Sequence, residues 1–126
     1  MQAYESARNA QAKIIADNPA SIVITRITRT ADDAGGWTEA SSTLAAQTVR
    51  IYAKNKRVLD NASGGFVTKK VSKMLALYNA NIESEDETYL DKFTFDGKTY
   101  KVNYVENVTM QGQIVFKEVE IEEIVS

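Results

Sequence analysis

Phe93-Thr94-Phe95-Asp96-Gly97-Lys98-Thr99-Tyr100-Lys101-Val102 is the stretch that decides the fold. Asp-Gly between two alternating apolar runs supplies the two positive-φ positions of a type I′ turn, so it predicts a β-hairpin. Residues 93–95 are expected to pair with residues 100–102. Phe93 and Phe95 point one way, and Tyr100, Val102 and Tyr104 share a face across the turn. After Met110-Gln111-Gly112 comes a last long strand, Gln113 to Ile124. Its odd positions Val115, Val119 and Ile121 mark a core face. At its even positions Ile114 and Phe116 are apolar but Glu118, Glu120 and Glu122 are not. The strand is therefore either bulged near Lys117 or apolar on both faces at its start.

Toward the N-terminus the β-signals continue. Ser21 to Arg29 is dense in β-branched residues. Asp32-Asp33-Ala34-Gly35-Gly36-Trp37 reads as a turn, and residues 38–54 as the returning strand. Lys54 to Gly65 has no sustained periodicity and reads as a long loop. Residues 66–82 fit both a helix stripe (Val67, Val71, Met74, Leu75, Tyr78) and a strand, and a strand from about Lys73 to Glu83 is the reading preferred. Residues 2–17 read as a helix, with Ala3, Ala7, Ala10 and Ile14 in a stripe and Tyr4 and Ile15 beside it. Asn18-Pro19 ends it, because a residue before proline avoids the α region. The expectation is one mainly β domain over residues 1–126, with fastest amide exchange at Asp32–Trp37 and Lys54–Gly65.

Composition narrows the chemistry. The chain has 126 residues, one proline, no histidine and no cysteine. Ser-His-Asp and Cys-His catalysis, thiol redox chemistry and disulfides are thereby excluded, and zinc sites lose their usual ligands. The longest apolar run, Met74 to Tyr78, is far short of the roughly 20 residues of a membrane helix. Met1-Gln2-Ala3-Tyr4-Glu5 lacks the pattern of a signal peptide. A cytoplasmic protein, or one in a particle assembled there, is expected.

The net charge of −2 hides a segregation. Residues 47–73 carry seven bases and one acid, whereas residues 83–126 carry eleven acids and four bases. Two solvated faces explain this, and so does a basic loop facing an anionic partner with an acidic half meeting a basic neighbour.

The candidate motifs are weak. Gly97-Lys98-Thr99 ends like a phosphate-binding loop, but the required glycine five residues earlier is Lys92. Glu83, Glu85, Asp86, Glu87 and Asp91 lack the spacing and central glycine of a calcium loop, and a solvated turn accounts for them. No carboxylate pair or Ser-x-x-Lys arrangement nominates a catalytic centre, so an enzyme is not expected, nor a cofactor or metal. Trp37 either folds back onto the core or anchors a partner. Lys54, Lys56 and Arg57, with Tyr52 and Phe66 nearby, have the base-plus-aromatic content of single-strand binders.

The layout as a whole resembles the small head-completion (head-closure or stopper) proteins of long-tailed bacteriophages and prophages. The resemblance covers roughly Ile22 to Glu123. It is most specific at Asp91 to Val102 and at Gln113-Ile114-Val115-Phe116-Lys117-Glu118-Val119-Glu120-Ile121-Glu122-Glu123. It implies a β-barrel-like body over residues 22–124 with one N-terminal helix and a long inter-strand loop. It further implies a virion protein that forms a ring in the neck, below the portal, as a head-tail connector. Such a ring retains packaged double-stranded DNA and offers the tail its attachment surface. Its partners would be further copies of itself, portal or adaptor proteins of the head and a tail-completion protein, with no membrane. The long loop that lines the channel in the family maps here onto Lys54 to Phe66. Lys54, Lys56 and Arg57 would face phosphates, where bases gain affinity by counterion release. Gly64 and Gly65 would let the loop open and close. Trp37, Ile114, Phe116, Glu118, Glu120 and Glu122 would meet neighbours. Two other readings are a tail-completion or terminator ring subunit and a small barrel that binds single-stranded nucleic acid.

Overall fold

The computed structural model describes residues 2–32, 34–59, 62 and 64–124, and within these the side chains of 54–56, 58 and 67–70 are not described. One helix, α1 (Ala3–Asp17), precedes eight strands. These are β1 (Ala20–Ile22), β2 (Thr25–Ala31), β3 (Trp37–Thr43), β4 (Gln47–Leu59), β5 (Phe66–Leu77), β6 (Tyr89–Phe95), β7 (Lys98–Met110) and β8 (Gln113–Glu123). All pairings are antiparallel, in the order β1-β4-β5-β8-β7-β6-β2-β3, and the sheet curls into a half-barrel. Only Val23 and Ile24 separate β1 from β2, and only residues 44–46 separate β3 from β4. The two chain runs therefore form one bent ribbon. Its lower half pairs β1 with β4, and its upper half pairs β2 with β3 and with β6. The bend bridges the two ends of the sheet.

The decisive hairpin forms as a two-residue turn. Asp96 and Gly97 have φ of 53° and 75°, the pair of positive values a type I′ turn needs. The register is Phe93↔Tyr100, Thr94↔Thr99 and Phe95↔Lys98, so residues 93–95 meet 98–100 rather than 100–102. A two-residue turn leaves no other choice. Phe93 stacks on Tyr100 at 5.5 Å between ring centroids. The expected shared face of Tyr100, Val102 and Tyr104 breaks after Val102. A register shift leaves Asn103 as an extra residue between the pairs Val102↔Ile121 and Tyr104↔Glu120. Such a bulge reverses the facing of the residues beyond it. Val102 is fully buried while Tyr104 is 57% exposed.

A second shift lies between Val108↔Phe116 and Thr109↔Ile114, which makes Val115 the extra residue of β8. The bulge expected near Lys117 is thus at Val115. Val115, Val119 and Ile121 are all buried, as their odd spacing predicts. Residues 66–77 form a strand, earlier in the chain than the expected span from Lys73 to Glu83.

The core cluster lies inside the curl and contains Ile22, Ile24, Val49, Met74, Ala76, Ile82, Phe93, Val102, Val119 and Ile121. Helix α1 covers the opposite face. Arg50, flanked by the inward Val49 and Ile51, reaches outward to donate to the Ile14 carbonyl at 3.2 Å. Arg8 donates its Nε to the Ile114 carbonyl at 2.8 Å, beside the Val115 bulge. Its guanidinium sits over the rings of Tyr78 and Tyr4, at 3.8 and 4.9 Å. The buried residue of α1 is Ile15, whereas Ile14 of the expected stripe is 36% exposed. Cationic clamps therefore seat this alanine-rich helix more than an apolar stripe does.

Candidate nucleic-acid interface

The basic segment read as a loop is a two-stranded ribbon. Strand β4 runs to Leu59 and β5 begins at Phe66, in continuous register from Val49↔Ala76 to Leu59↔Phe66. Only residues 60–65 connect them, and Gly64 takes a φ of +74° there. Lys54, Lys56 and Arg57 therefore stand on a strand, not in a loop. Gly64 and Gly65 belong to the short connection. The expectation failed for a physical reason. Strand periodicity arises when one face is buried, and the described side chains toward the tip of the ribbon, Arg57, Leu59 and Phe66, are all exposed.

The ribbon outruns its neighbours. Strand β1 pairs with β4 only at Gln47, Thr48 and Val49. Strand β8 pairs with β5 only from Ser72 to Leu77. Among the described residues the six rungs from Lys54↔Val71 to Leu59↔Phe66 have no third strand on either side. At 3.4 Å per residue they reach roughly 20 Å. Residues 54–71 hold five bases, Lys54, Lys56, Arg57, Lys69 and Lys70, against one acid, Asp60. The Lys54 and Lys56 side chains lie outside the described residues. Arg57 is exposed, and its guanidinium stands 4.8 Å from the centroid of the Phe66 ring. Leu59 and Phe66, opposite each other at the tip, are 55% and 64% exposed.

The acidic strand face lies across β8 at the foot of the ribbon. Lys73 Nζ donates to Glu118 at 2.9 Å, and Lys101 Nζ meets Glu122 at 3.5 Å and Glu85 at 3.0 Å. The Glu118 hydrogen bond holds the Lys73 ammonium above its ordinary range, against the cost of burial. Glu85, then Glu122, does the same for Lys101. Burial pushes the Tyr52 hydroxyl up. Glu118 and Glu122 thus meet bases of their own chain, and Glu120 lies half-buried between them. Ile114 and Phe116 are half-buried in β8, the strand on which α1 rests. Trp37 does not fold back onto the core. It opens β3 at 58% exposure, beside a hollow it shares with Arg29, Glu39 and Glu87.

One cluster escapes sequence reading. Asp91, fully buried, accepts from Arg26 Nε at 2.8 Å and Nη2 at 2.9 Å, and from the Glu83 backbone N–H at 2.8 Å. Arg26 Nη1 also donates to Asn81 Oδ1 at 2.8 Å. Asn81 in turn exchanges backbone bonds with the Gln47 amide. The network fastens residues 78–88 to β2 and β6. The Asp91 hydrogen bonds hold the Arg26 guanidinium above its ordinary value. The carboxylates considered for a cation are dispersed by these contacts. Asp91 takes Arg26, Glu85 takes Lys101, and Asp86 caps its own turn through the Thr88 and Tyr89 N–H groups.

Neither a comparison with protein-family models nor one with curated proteins gives a match.

Proposed function

We propose that the chain is a head-completion (stopper) protein of a tailed phage, a ring subunit at the head-tail connector whose β4–β5 ribbon lines the DNA channel. The observation that carries this reading is the ribbon. Five bases stand on a strand pair that leaves the sheet with no third strand beside it among the described residues. A free two-stranded ribbon is marginal in water. Its extension serves best where an assembly surrounds it. One subunit offers too few bases to hold duplex DNA at physiological salt. A ring repeats the patch, and many weak phosphate contacts then act together. The half-barrel supplies a rigid mount, and the ribbon carries charge in place of a catalytic group.

The test is Lys54→Gln and Lys56→Gln together, in assembling particles. The expected result is particles that form but lose packaged DNA or fail to join tails. Particles that keep their genome and infect normally would remove the channel role. Lysines also guard open sheet edges against self-pairing. If that is their role, the double variant aggregates as free protein and its particles retain DNA. A single-strand binder would instead bind oligonucleotide as a free subunit, with a steep salt dependence.

A further inference from the structure

The Trp37 end of β3 and the Leu59–Phe66 tip of the β4–β5 ribbon are complementary, and among the described residues their strands do not meet within one subunit. Trp37 starts β3 and Leu59 ends β4, and the chain runs from one to the other in a single bent course. Among the described residues β3 makes no contact with β4 or β5. At the β3 end, Trp37 is 58% exposed over an open hollow of about 390 Å³ lined by Arg29, Glu39 and Glu87. Arg29 stands 3.4 Å from Glu39, so among the described residues the hollow has one more carboxylate than base. Asp32 stands close by in the turn, its Oδ1 accepting from the Ala34 and Gly36 N–H groups at 2.9 and 2.8 Å. These bonds fix the turn that presents Trp37. At the β4 end, Leu59 and Phe66 form an exposed apolar pair with the Arg57 guanidinium over Phe66. The bases of residues 54–71 flank that pair in the sequence.

We infer that the Leu59–Phe66 tip of one subunit docks against the Trp37 hollow of a second copy of the chain. This inference rests on the ring reading and names its contact. The tip brings an apolar pair and positive charge, and the hollow brings an aromatic wall and carboxylates. Exposed tryptophan and arginine are the residue types that dominate contact energies. Opposite charge aligns the two ends before contact and disfavours tip-to-tip or hollow-to-hollow pairing. The contact joins two different surfaces, so it repeats head to tail and closes into a ring where the rotation allows.

The absence of cysteine gives a clean test. A variant with Ala31→Cys, on the hollow's face of β2 beside Trp37, and Leu59→Cys is oxidised and run without reductant, beside each single-cysteine variant. The expected result is a ladder of dimers, trimers and higher multiples from the double variant, with nothing above a dimer from either single one. Sedimentation of the cysteine-free chain is measured alongside. Trp37→Ala is expected to raise the concentration needed for assembly by at least about tenfold. Arg57→Glu is expected to block assembly, and Arg57→Glu with Glu87→Arg in one chain to restore it. An assembling chain that gives no ladder overturns this contact and leaves the ring standing on another surface. A chain that neither sediments as an oligomer nor gives a ladder overturns both. A ladder from a chain that sediments as a monomer supports the contact as a weak one that the particle strengthens.

Discussion

The β6–β7 hairpin and the β4–β5 ribbon are the same element under different support. Each is an antiparallel pair closed by a short connection that contains a glycine near φ +75°. Strand β6 is flanked by β2 and strand β7 by β8. Phe93 and Val102 face a closed core. Beyond Ser72 the ribbon has no flanking strand among the described residues. The first hairpin is held by burial and announces itself in sequence by alternation. The second is held by its own ladder and announces itself only by charge. The difference teaches that a strand leaving the sheet loses its hydrophobic signature at the point where it becomes available to a partner.

The largest expected effect is at the anchor of the supported side. Arg26→Ala leaves Asp91 buried without its bidentate partner. Breaking such a pair from one side costs about 3–5 kcal/mol. Arg26→Lys recovers only part of this, because an ammonium cannot span both carboxylate oxygens. Urea denaturation measures it. A loss below about 1 kcal/mol would show that Asp91 finds another partner, and would make the β2–β6 side no better anchored than the ribbon.

The matched glycines give the sharpest comparison. Gly97 and Gly64 have φ of +75° and +74°, and a Cβ at either would meet nothing within 4 Å. The local strain of alanine at the two sites is therefore the same, about 1–2 kcal/mol. Gly97→Ala acts on a turn that closes with the whole sheet, so global stability should fall by that amount. Gly64→Ala acts on a ribbon whose outer rungs have no flanking strand among the described residues, so it is expected to open apart from the sheet and the midpoint of unfolding to stay within about 0.5 kcal/mol of the parent. Faster amide exchange confined to residues 54–59 and 66–71 should accompany it. Equal midpoint shifts in the two variants would show the ribbon to be as cooperative as the barrel.

The same contrast separates the legible from the hidden in the sequence. Asp96-Gly97 fixes one register, and the odd residues of β8 identify its core face, because both signals are local. The bulge at Asn103 carries no local mark in Val-Asn-Tyr-Val. Its value lies elsewhere in the chain, where the Asn103 carbonyl accepts the Glu85 N–H at 3.3 Å. Arg26 and Asp91 are 65 residues apart, and no periodicity joins them. The segregation of charge between residues 47–73 and the C-terminal strands was legible. The pairing of Glu118 with Lys73 and Glu122 with Lys101 was not, since it depends on which strands lie side by side. For the proposed site, the bases were visible and their ribbon was not.

The smallest effect concerns pH and the foot of the ribbon. Lys73 and Lys101 are raised above the ordinary lysine value of 10.5, by hydrogen bonds to Glu118 and to Glu85 respectively. Tyr52 is raised above 10.0 by burial. In all three the folded protein holds its proton more firmly than the unfolded chain. Their contribution is thus fully present below about pH 10 and is lost as pH rises through the folded values. Stability should be insensitive to them between pH 7 and about 9, and should decline above about 10. Exposed or half-exposed pairs contribute about 0–1 kcal/mol each, so the decline is shallow at first. Lys73→Met removes the β5–β8 pair and should flatten the part of the slope that Lys73 supplies. Thermal unfolding of the parent and of this variant across pH 8 to 11 measures the difference. Parallel curves would mean that the Lys73–Glu118 pair does not hold β5 against β8, leaving the ladder and Met74–Val119 packing to anchor the ribbon.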